Sequence, residues 1–473
     1  SVEVRATYDE ITGAVLPPAL VQQARAEEIK FMLDWGVWER APISDCWKAT
    51  GKAPIGSKWV DVNKGDAKKP LIRSRFVVKE IATYKSDDFF AATPPLESFR
   101  LLLTLAASDV QDIKIEVLDA SKAHLHAFAD RTVFTQLPPE VAAPGYCARL
   151  VRCLYGTRDA PKRWEAFLAE QLIAIGFAKG RASPFCYYHA ELGVRCIVHG
   201  DDFIGVGKYT DCCWLREHLK NAWELKIRGA IGHEVDEIDI LGRRIRKLEW
   251  GYSYEADPKH CTVILREAGL TSVSKSVTSP GVKECDDDDR DLLPYEEARR
   301  YRSLIMRAAY LSLDRPDLQF ATKEAARTMQ TPRVCDRAKL QRIARYLLLR
   351  PRLVYRFEWQ PLPKHLYVEC DSDFAGCNRT RKSTSGNATF LGHHLISTRS
   401  KTQSVLALST AEAEFYSLCS TMSSSLGIQS LAMDLGLPLT LVRVGMDATA
   451  GMAMASRRGL GQACLLSPSD AAD

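Results

Sequence analysis

The 473-residue sequence has no run of 18 apolar residues and no leading signal or transit segment, so it predicts no membrane span and an intracellular product. It lacks any Cys-x-x-Cys pair. Its 14 cysteines are scattered, with only Cys212 and Cys213 adjacent, which predicts reduced thiols and excludes a zinc site of ordinary spacing. No internal repeat is evident, and the single run of four acids, Asp286 to Asp289, reads as a solvated loop. The chain begins with Ser1 and has no initiator Met, which predicts a processed piece or fragment of a longer product.

Composition is that of folded protein, with 46% apolar and 26% charged residues, and the length suits two to four domains. A net charge of +5 is compatible with nucleic-acid binding but too small to identify it. The informative stretch is Val194 to Gly207. It reads as strand, turn and strand, with Asp201 and Asp202 at the tip. Adjacent carboxylates between apolar flanks repel each other and lose hydration, and a divalent cation offsets both costs. Taken alone, the pair is also good chemistry for a solvated turn. Upstream, Ile113 to Asp119 alternates as a half-buried strand does and ends in a carboxylate. The three acids can converge into a site holding two magnesium ions about 3.5–4 Å apart.

Asp119 followed by Lys122-Ala123, then Leu154-Tyr155-Gly156, Ala160-Pro161 and Trp164, then Asp201-Asp202, resembles the reverse transcriptase of copia-type LTR retrotransposons. Ser121 stands where that family has Lys, and His199-Gly200 replace its Tyr-Val. The resemblance implies an α+β right-hand polymerase of fingers, palm and thumb, with Asp119, Asp201 and Asp202 as catalytic acids and magnesium ligands, manganese being the alternative ion. It implies Arg75 as a grip on the incoming triphosphate, His124 at the place of a sugar-sensing Phe or Tyr, and Tyr155-Gly156 against a base pair. His124 predicts weaker rejection of ribonucleotides. Gly242, Arg243 and Arg244, in a stretch similar to the family's primer-gripping strand, are the expected nucleic-acid contacts. Ser98 and Asp159 read as helix caps, and Gly200 as a source of flexibility at the hairpin tip.

A second pattern begins at Leu366. Three strands, a helix, a strand and a helix carry Asp371, Glu414 and Asp447 in an order that resembles ribonuclease H. The motifs Asp371-Ser372-Asp373-Phe374-Ala375-Gly376, Ser383-Thr384-Ser385-Gly386 and Ser400-Lys401-Thr402-Gln403 strengthen it. Ser409-Thr410-Ala411-Glu412 is a capping box, so Glu412 suits the cap and Glu414 the metal; Asp373 competes with Asp371. These three acids are the expected ligands of a second two-metal site that hydrolyses RNA.

The expected divisions are an N-terminal extension (1–23), fingers and palm (24–248), a thumb-like segment (249–290), a helical connection (291–364), a ribonuclease H-like α/β domain (365–462), truncated at its end, and an unmatched tail (463–473). The expected partners are an RNA template, a DNA primer, RNA–DNA hybrid and deoxynucleoside triphosphates, and no membrane. The expected locations are the cytoplasm, in a retroelement particle, and the nucleus. With no integrase or protease motif, the chain reads as part of a larger polyprotein. The alternatives are a catalytically defective relic that only binds nucleic acid, and a nuclease without polymerase activity.

Overall fold

The computed structural model describes residues 6–66, 68–81, 93–108, 113–281, 291–439 and 441–457. Asp286–Asp289 and the tail beyond 457 lie outside them. Among the described residues the chain is a mixed α/β fold built on five sheets, one of them a two-stranded hairpin, and a helical block. Its centre is a six-stranded antiparallel sheet, in the spatial order Leu225–Ile231, Ile113–Ala120, Asp202–Lys208, Val194–His199, Cys186–His189, Ala178–Lys179. Period-2 alternation decides what each face meets. Ile115, Val117, Ile204 and Val206 share a core with the helix Leu96–Ala106. Leu118, Val198 and Phe203 share another with Trp164 and Leu168 of the helix Ala160–Ala174 and Leu215 and Leu219 of the helix Tyr209–Ala222.

On one side of this sheet stand the helix Pro18–Asp34, the hairpin Ser57–Asn63 with Ile72–Val78, and a small three-stranded sheet. They share the core of Met32, Trp38, Phe76, Val78 and Leu150. The hairpin is pinned by Asp61, 4% exposed, which accepts hydrogen bonds from Ser74 (2.6 Å) and Arg25 (2.7 Å). Residues 6–23 are no detached extension. Asp9 accepts from the backbone N–H groups of Ile11, Thr12 and Asn63, and the first helix begins at Pro18.

Past the centre lies an antiparallel sheet in the order Glu237–Ile240, Arg243–Leu248, Gly251–Ala256, Val354–Glu358. The expected boundary after residue 248 therefore falls inside a sheet. The strand Gly251–Ala256 is completed by residues a hundred positions downstream, a non-local pairing that no local pattern reveals. The helix Lys259–Glu267 likewise shares one core with the helices Tyr295–Leu311, Pro316–Ala326 and Asp336–Leu349.

The last sheet runs His394–Thr402, Thr384–Leu391, His365–Ser372, all antiparallel, then Leu441–Gly445 parallel to His365–Ser372. The 25-residue helix Thr410–Asp434 crosses it. Its N-cap is Ser409, whose Oγ accepts the N–H of Glu412 (3.2 Å), while Glu412 accepts the N–H of Leu408 (2.7 Å). Two expected caps are not formed. The helix after Pro95 starts at Leu96, so Ser98 lies inside the first turn and donates to Pro95 O. Asp159 occupies an N-cap position but gives its carboxylate to Arg131 (2.7 Å), a stronger, charge-assisted partner.

The six-stranded sheet and the two four-stranded sheets are not beads on a string. One core runs from Leu101 and Ile204 through Tyr254 and Phe357 to Leu391, Ile396 and Ile428. Asp434 accepts three backbone N–H groups, those of Arg181, Ala182 and Ser183, at 2.8–2.9 Å. His394, fully buried, sits 3.1 Å from Thr104 Oγ1, 3.0 Å from Gln360 Nε2 and 2.8 Å from Glu358 O. Burial pulls its pKa down to about 4, against the Glu358 carbonyl and with help from His393. The neutral ring is what the junction holds. Its contribution is complete above the unfolded value near 6.5 and is lost as pH falls towards 4, by up to roughly 3 kcal/mol. Urea midpoints should therefore drop between pH 7 and 4.5 in the wild type, with a visibly shallower drop in His394→Gln; parallel curves would show that the ring does not carry the slope.

Candidate active sites

The first site is built where three chain segments meet. Asp119 is the penultimate residue of the central strand, and in the antiparallel register Asp202 lies directly opposite it. Asp201 is at the hairpin tip, where its carbonyl accepts the N–H of Ala120 (2.8 Å). Gly200 takes φ +67, a left-handed conformation natural to glycine. The expected flexibility does not follow, because Trp164 Nε1–H donates to Gly200 O at 2.7 Å. The tip is thus held from the strand on one side and from a helix on the other.

The electrostatics are those of a site assembled at a cost. Burial raises the pKa of Asp119, and Asp201 raises it further, against Lys226, Arg73 and Arg228. Asp202 is pushed up to about 6 by burial, then by Asp201 and Asp119, with Arg228 opposing. Among the described residues, no three acidic, His or Cys side chains are drawn together tightly enough to hold a metal ion as they stand. The donor set itself, three hard carboxylates of which Asp119 and Asp202 have raised pKa values, fits a magnesium-like cation.

Facing the acids, Arg75 lays its guanidinium 5.0 Å from the centroid of the Tyr155 ring, and its Nε is buried without a hydrogen-bond partner. His124 lies 5.6 Å from the same ring. Its Nδ1 is also buried and unpartnered. Burial pulls the His124 pKa down, with Asp201 opposing and Arg75 assisting, so the ring is neutral. Gly156 serves a different purpose from the one expected. At φ +85, a Cβ there would fall 2.1 Å from Val78 O, so the close approach is to the hairpin strand and not to a base pair. The N–H of Val78 donates to Tyr155 O (2.8 Å), closing the same contact.

The expected nucleic-acid contacts divide. Gly242 is the left-handed turn residue, φ +71, between two strands. Arg243 is not available to phosphate. It is buried, ion-paired to Asp314 at 2.9 Å and bonded to Leu241 O. Its partner is 71 residues away, which is why the sequence showed only a basic strand. Arg244 lies on the outer side, paired with Asp239 (2.9 Å) and Glu237 (3.0 Å). Two cations beside the acids escaped sequence reasoning: Lys226, opposite Asp119 in the neighbouring strand, and Arg228, 3.9 Å from Asp202. Their only signal was basic residues two apart in a short strand-like run.

The second site lies on the last sheet. Asp371 is the penultimate residue of its strand, Glu414 is in the first turns of the long helix, and Asp447 follows the parallel strand. The N–H of Ser372 donates to Asp371 Oδ1 (2.8 Å) and to Glu414 Oε1 (3.2 Å), tying the first two together. Glu414 is 3% exposed, and its Oε2 has no partner. Burial, then Asp371 and Asp447, raise its pKa, while Ser372 opposes. An orphaned buried carboxylate oxygen beside two further acids fits a cation. Glu412 is spent on the cap and on Tyr416, and Asp373 accepts the N–H of Thr384.

Comparison with known proteins finds a family match over part of the chain and several relatives. Residues 46–255 match the family model of reverse transcriptase (RNA-dependent DNA polymerase). The chain is 27% identical over 395 residues to the retrovirus-related Pol polyprotein from transposon RE1 of Arabidopsis thaliana, covering 82% of this chain and 26% of that one. It is 31% identical over 184 residues to an uncharacterized mitochondrial protein of Arabidopsis thaliana, covering 38% of this chain and 74% of that one. The chain thus spans under a third of the plant Pol polyproteins it matches. A solved foamy viral protease-reverse transcriptase in complex with double-stranded DNA is similar over 96% of this chain and 69% of that one, with TM-score 0.48 and 12% identity.

The raised pKa of Asp202 means that its ionised form is disfavoured by folding. Stability should rise as pH falls from about 6 towards the unfolded value near 4. Asp202→Asn should therefore melt about 1–3 °C higher than wild type at pH 7.5, the gain vanishing by pH 4. A variant that melts lower at neutral pH would show that Asp202 is not strained.

Proposed function

Because the chain belongs to the reverse transcriptases of copia-type retrotransposons, we propose that it is an RNA-directed DNA polymerase with a C-terminal ribonuclease H-like unit. The observation that carries the first half is the cross-strand pair Asp119–Asp202 with Asp201 at the adjoining tip. In this reading the six-stranded sheet is the palm, the hairpin Ser57–Val78 belongs to the fingers, and the segment from Lys259 with the helices 295–349 serves as thumb and connection.

Asp119, Asp201 and Asp202 would hold two magnesium ions, which supply neutralisation of the triphosphate and lower the pKa of the attacking 3′-hydroxyl. The chain's own residues do the rest. Arg75 would bind phosphate oxygens of the incoming deoxynucleoside triphosphate, a role supported by its one buried, unpartnered nitrogen and its guanidinium over Tyr155. Neutral His124 lies under the same region, where a smaller ring than Phe or Tyr leaves room at the sugar. Trp164 keeps the hairpin tip from shifting against the primer end. A misplacement of about 1 Å there would cost on the order of a hundredfold in rate.

For the second half, the support is three antiparallel strands followed by a parallel one, with Asp371, Glu414 and Asp447 near the same end. These would hold the metals that activate water against RNA in an RNA–DNA hybrid. The partners are RNA template, DNA primer and the hybrid they form, and the site of action is a cytoplasmic retroelement particle, then the nucleus.

The deciding experiment is primer extension on poly(rA)/oligo(dT) with Mg2+. Extension is expected in the wild type and should fall at least about a thousandfold in Asp201→Asn. Arg75→Ala should raise the Michaelis constant for nucleotide with a smaller change in turnover. Hybrid cleavage should vanish in Glu414→Gln while extension persists. A folded wild-type chain that binds hybrid but extends nothing would instead be a relic that only binds nucleic acid.

A further inference from the structure

A cation already stands beside the polymerase acids. In the strand Leu225–Ile231, Lys226 pairs with Asp119 and Ile227 with Leu118, and the next pair is Gly229 with Val117. Arg228 is left out of the ladder as the extra residue of a β-bulge. Gly229 takes φ +116, a conformation that side chains other than glycine's rarely adopt. Bulges turn a side chain away from the direction the strand would give it, and they recur beside active sites. Here the turned side chain reaches two groups. Arg228 Nη2–H donates to the backbone carbonyl of Asp239 (2.5 Å), and Nη1 stands 3.9 Å from Asp202 Oδ1.

The division of labour between those contacts matters. The hydrogen bond goes to a carbonyl on a different strand, so the guanidinium is held whatever the state of Asp202. The separation from Asp202 is at the outer edge of an ion pair, and neither group is fully buried, with 29% and 28% exposure, so the pair adds little to stability. What remains is a fixed positive charge next to a carboxylate read as a metal ligand. A divalent cation approaching Asp202 meets that charge and is repelled by it.

We propose that Arg228 is a positioning residue that sets the divalent-cation affinity of the acid cluster, as a resident counter-charge at Asp202. The proposal rests on the reading of Asp119, Asp201 and Asp202 as metal ligands. Its consequence is a threshold: the cluster stays cation-free at low metal and fills only when nucleotide phosphates or higher metal concentrations compensate.

The test is calorimetric titration of Mg2+ alone into the full chain carrying Asp371→Asn, which silences the second acid cluster. In that background Arg228→Gln, which keeps a donor for the Asp239 carbonyl, should bind Mg2+ roughly three- to tenfold more tightly. Arg228→Lys, which keeps the charge, should stay within about twofold of the parent, and it decides the matter if the Gln variant fails to fold. Measurable binding that is unchanged or weaker in Arg228→Gln, or tighter in Arg228→Lys, overturns the proposal while leaving the metal reading intact. No Mg2+ binding in either the parent or Arg228→Gln, even at high metal, with both indistinguishable from an Asp119→Asn control, would remove the metal reading and this inference with it.

Discussion

The arrangement of both acid clusters depends on one buried carboxylate, Asp314. It is 2% exposed and accepts from Arg100 (3.0 Å), from Arg243 (2.9 Å) and from the hydroxyl of Tyr254. Arg100 comes from the helix Leu96–Ala106 against the central sheet, Arg243 and Tyr254 from the sheet that holds Gly251–Ala256, and Asp314 from the turn between the helices Tyr295–Leu311 and Pro316–Ala326. Arg100 also donates to Ile396 O (3.0 Å), on the last sheet. Four structural units are thus bonded through a single ion cluster. Two guanidiniums share one carboxylate, and the unbalanced charge is spread over ring faces: Tyr254 and Tyr355 lie 5.4 and 5.0 Å from Arg100, and Tyr310 lies 5.3 Å from Arg243. Removing Asp314 would leave two buried guanidiniums without their carboxylate, at a cost of about 3–5 kcal/mol.

This cluster explains why the two acid sites belong to one body. It sits beside a continuous apolar core that joins the central sheet to the last one. Asp434 and His394 add polar locks at the same junction, one gathering three backbone N–H groups and the other bridging Thr104, Gln360 and Glu358. Polar groups buried this way specify one docking geometry, because any other leaves them unsatisfied. A duplex spanning both sites would meet a fixed separation between them.

The sequence made the local parts legible and hid the non-local ones. Asp119 and Asp202 could be placed at facing strand ends because alternation and turn chemistry are read residue by residue. Glu412 and Glu414 could be separated for the same reason, since a capping box is a four-residue motif. Arg243 could not be understood without Asp314, nor the strand Gly251–Ala256 without Val354–Glu358. Gly156 looked like a place for a ligand because a glycine's vacancy says nothing of what fills it; the hairpin backbone fills it. Arg228 was invisible because a bulge, not the pattern of the strand, decides where it points.

The two kinds of titrating group pull stability in opposite directions, and that contrast separates scaffold from site. His394 is held neutral at a structural junction and favours the fold at neutral pH. Asp119, Asp202 and Glu414 are held in surroundings that disfavour their charge, so the fold carries them at a loss under the same conditions. A stability-driven sequence would replace such acids with amides. Their presence at strand ends and on a helix, braced by Trp164, Ala120 and Ser372, is what the proposed reading accounts for, in which a cation from outside the chain would offset the charge. In that reading a cation and a phosphate chain would complete the acid cluster, and Arg228, with Lys226 and Arg73, is the positive charge the chain supplies for itself.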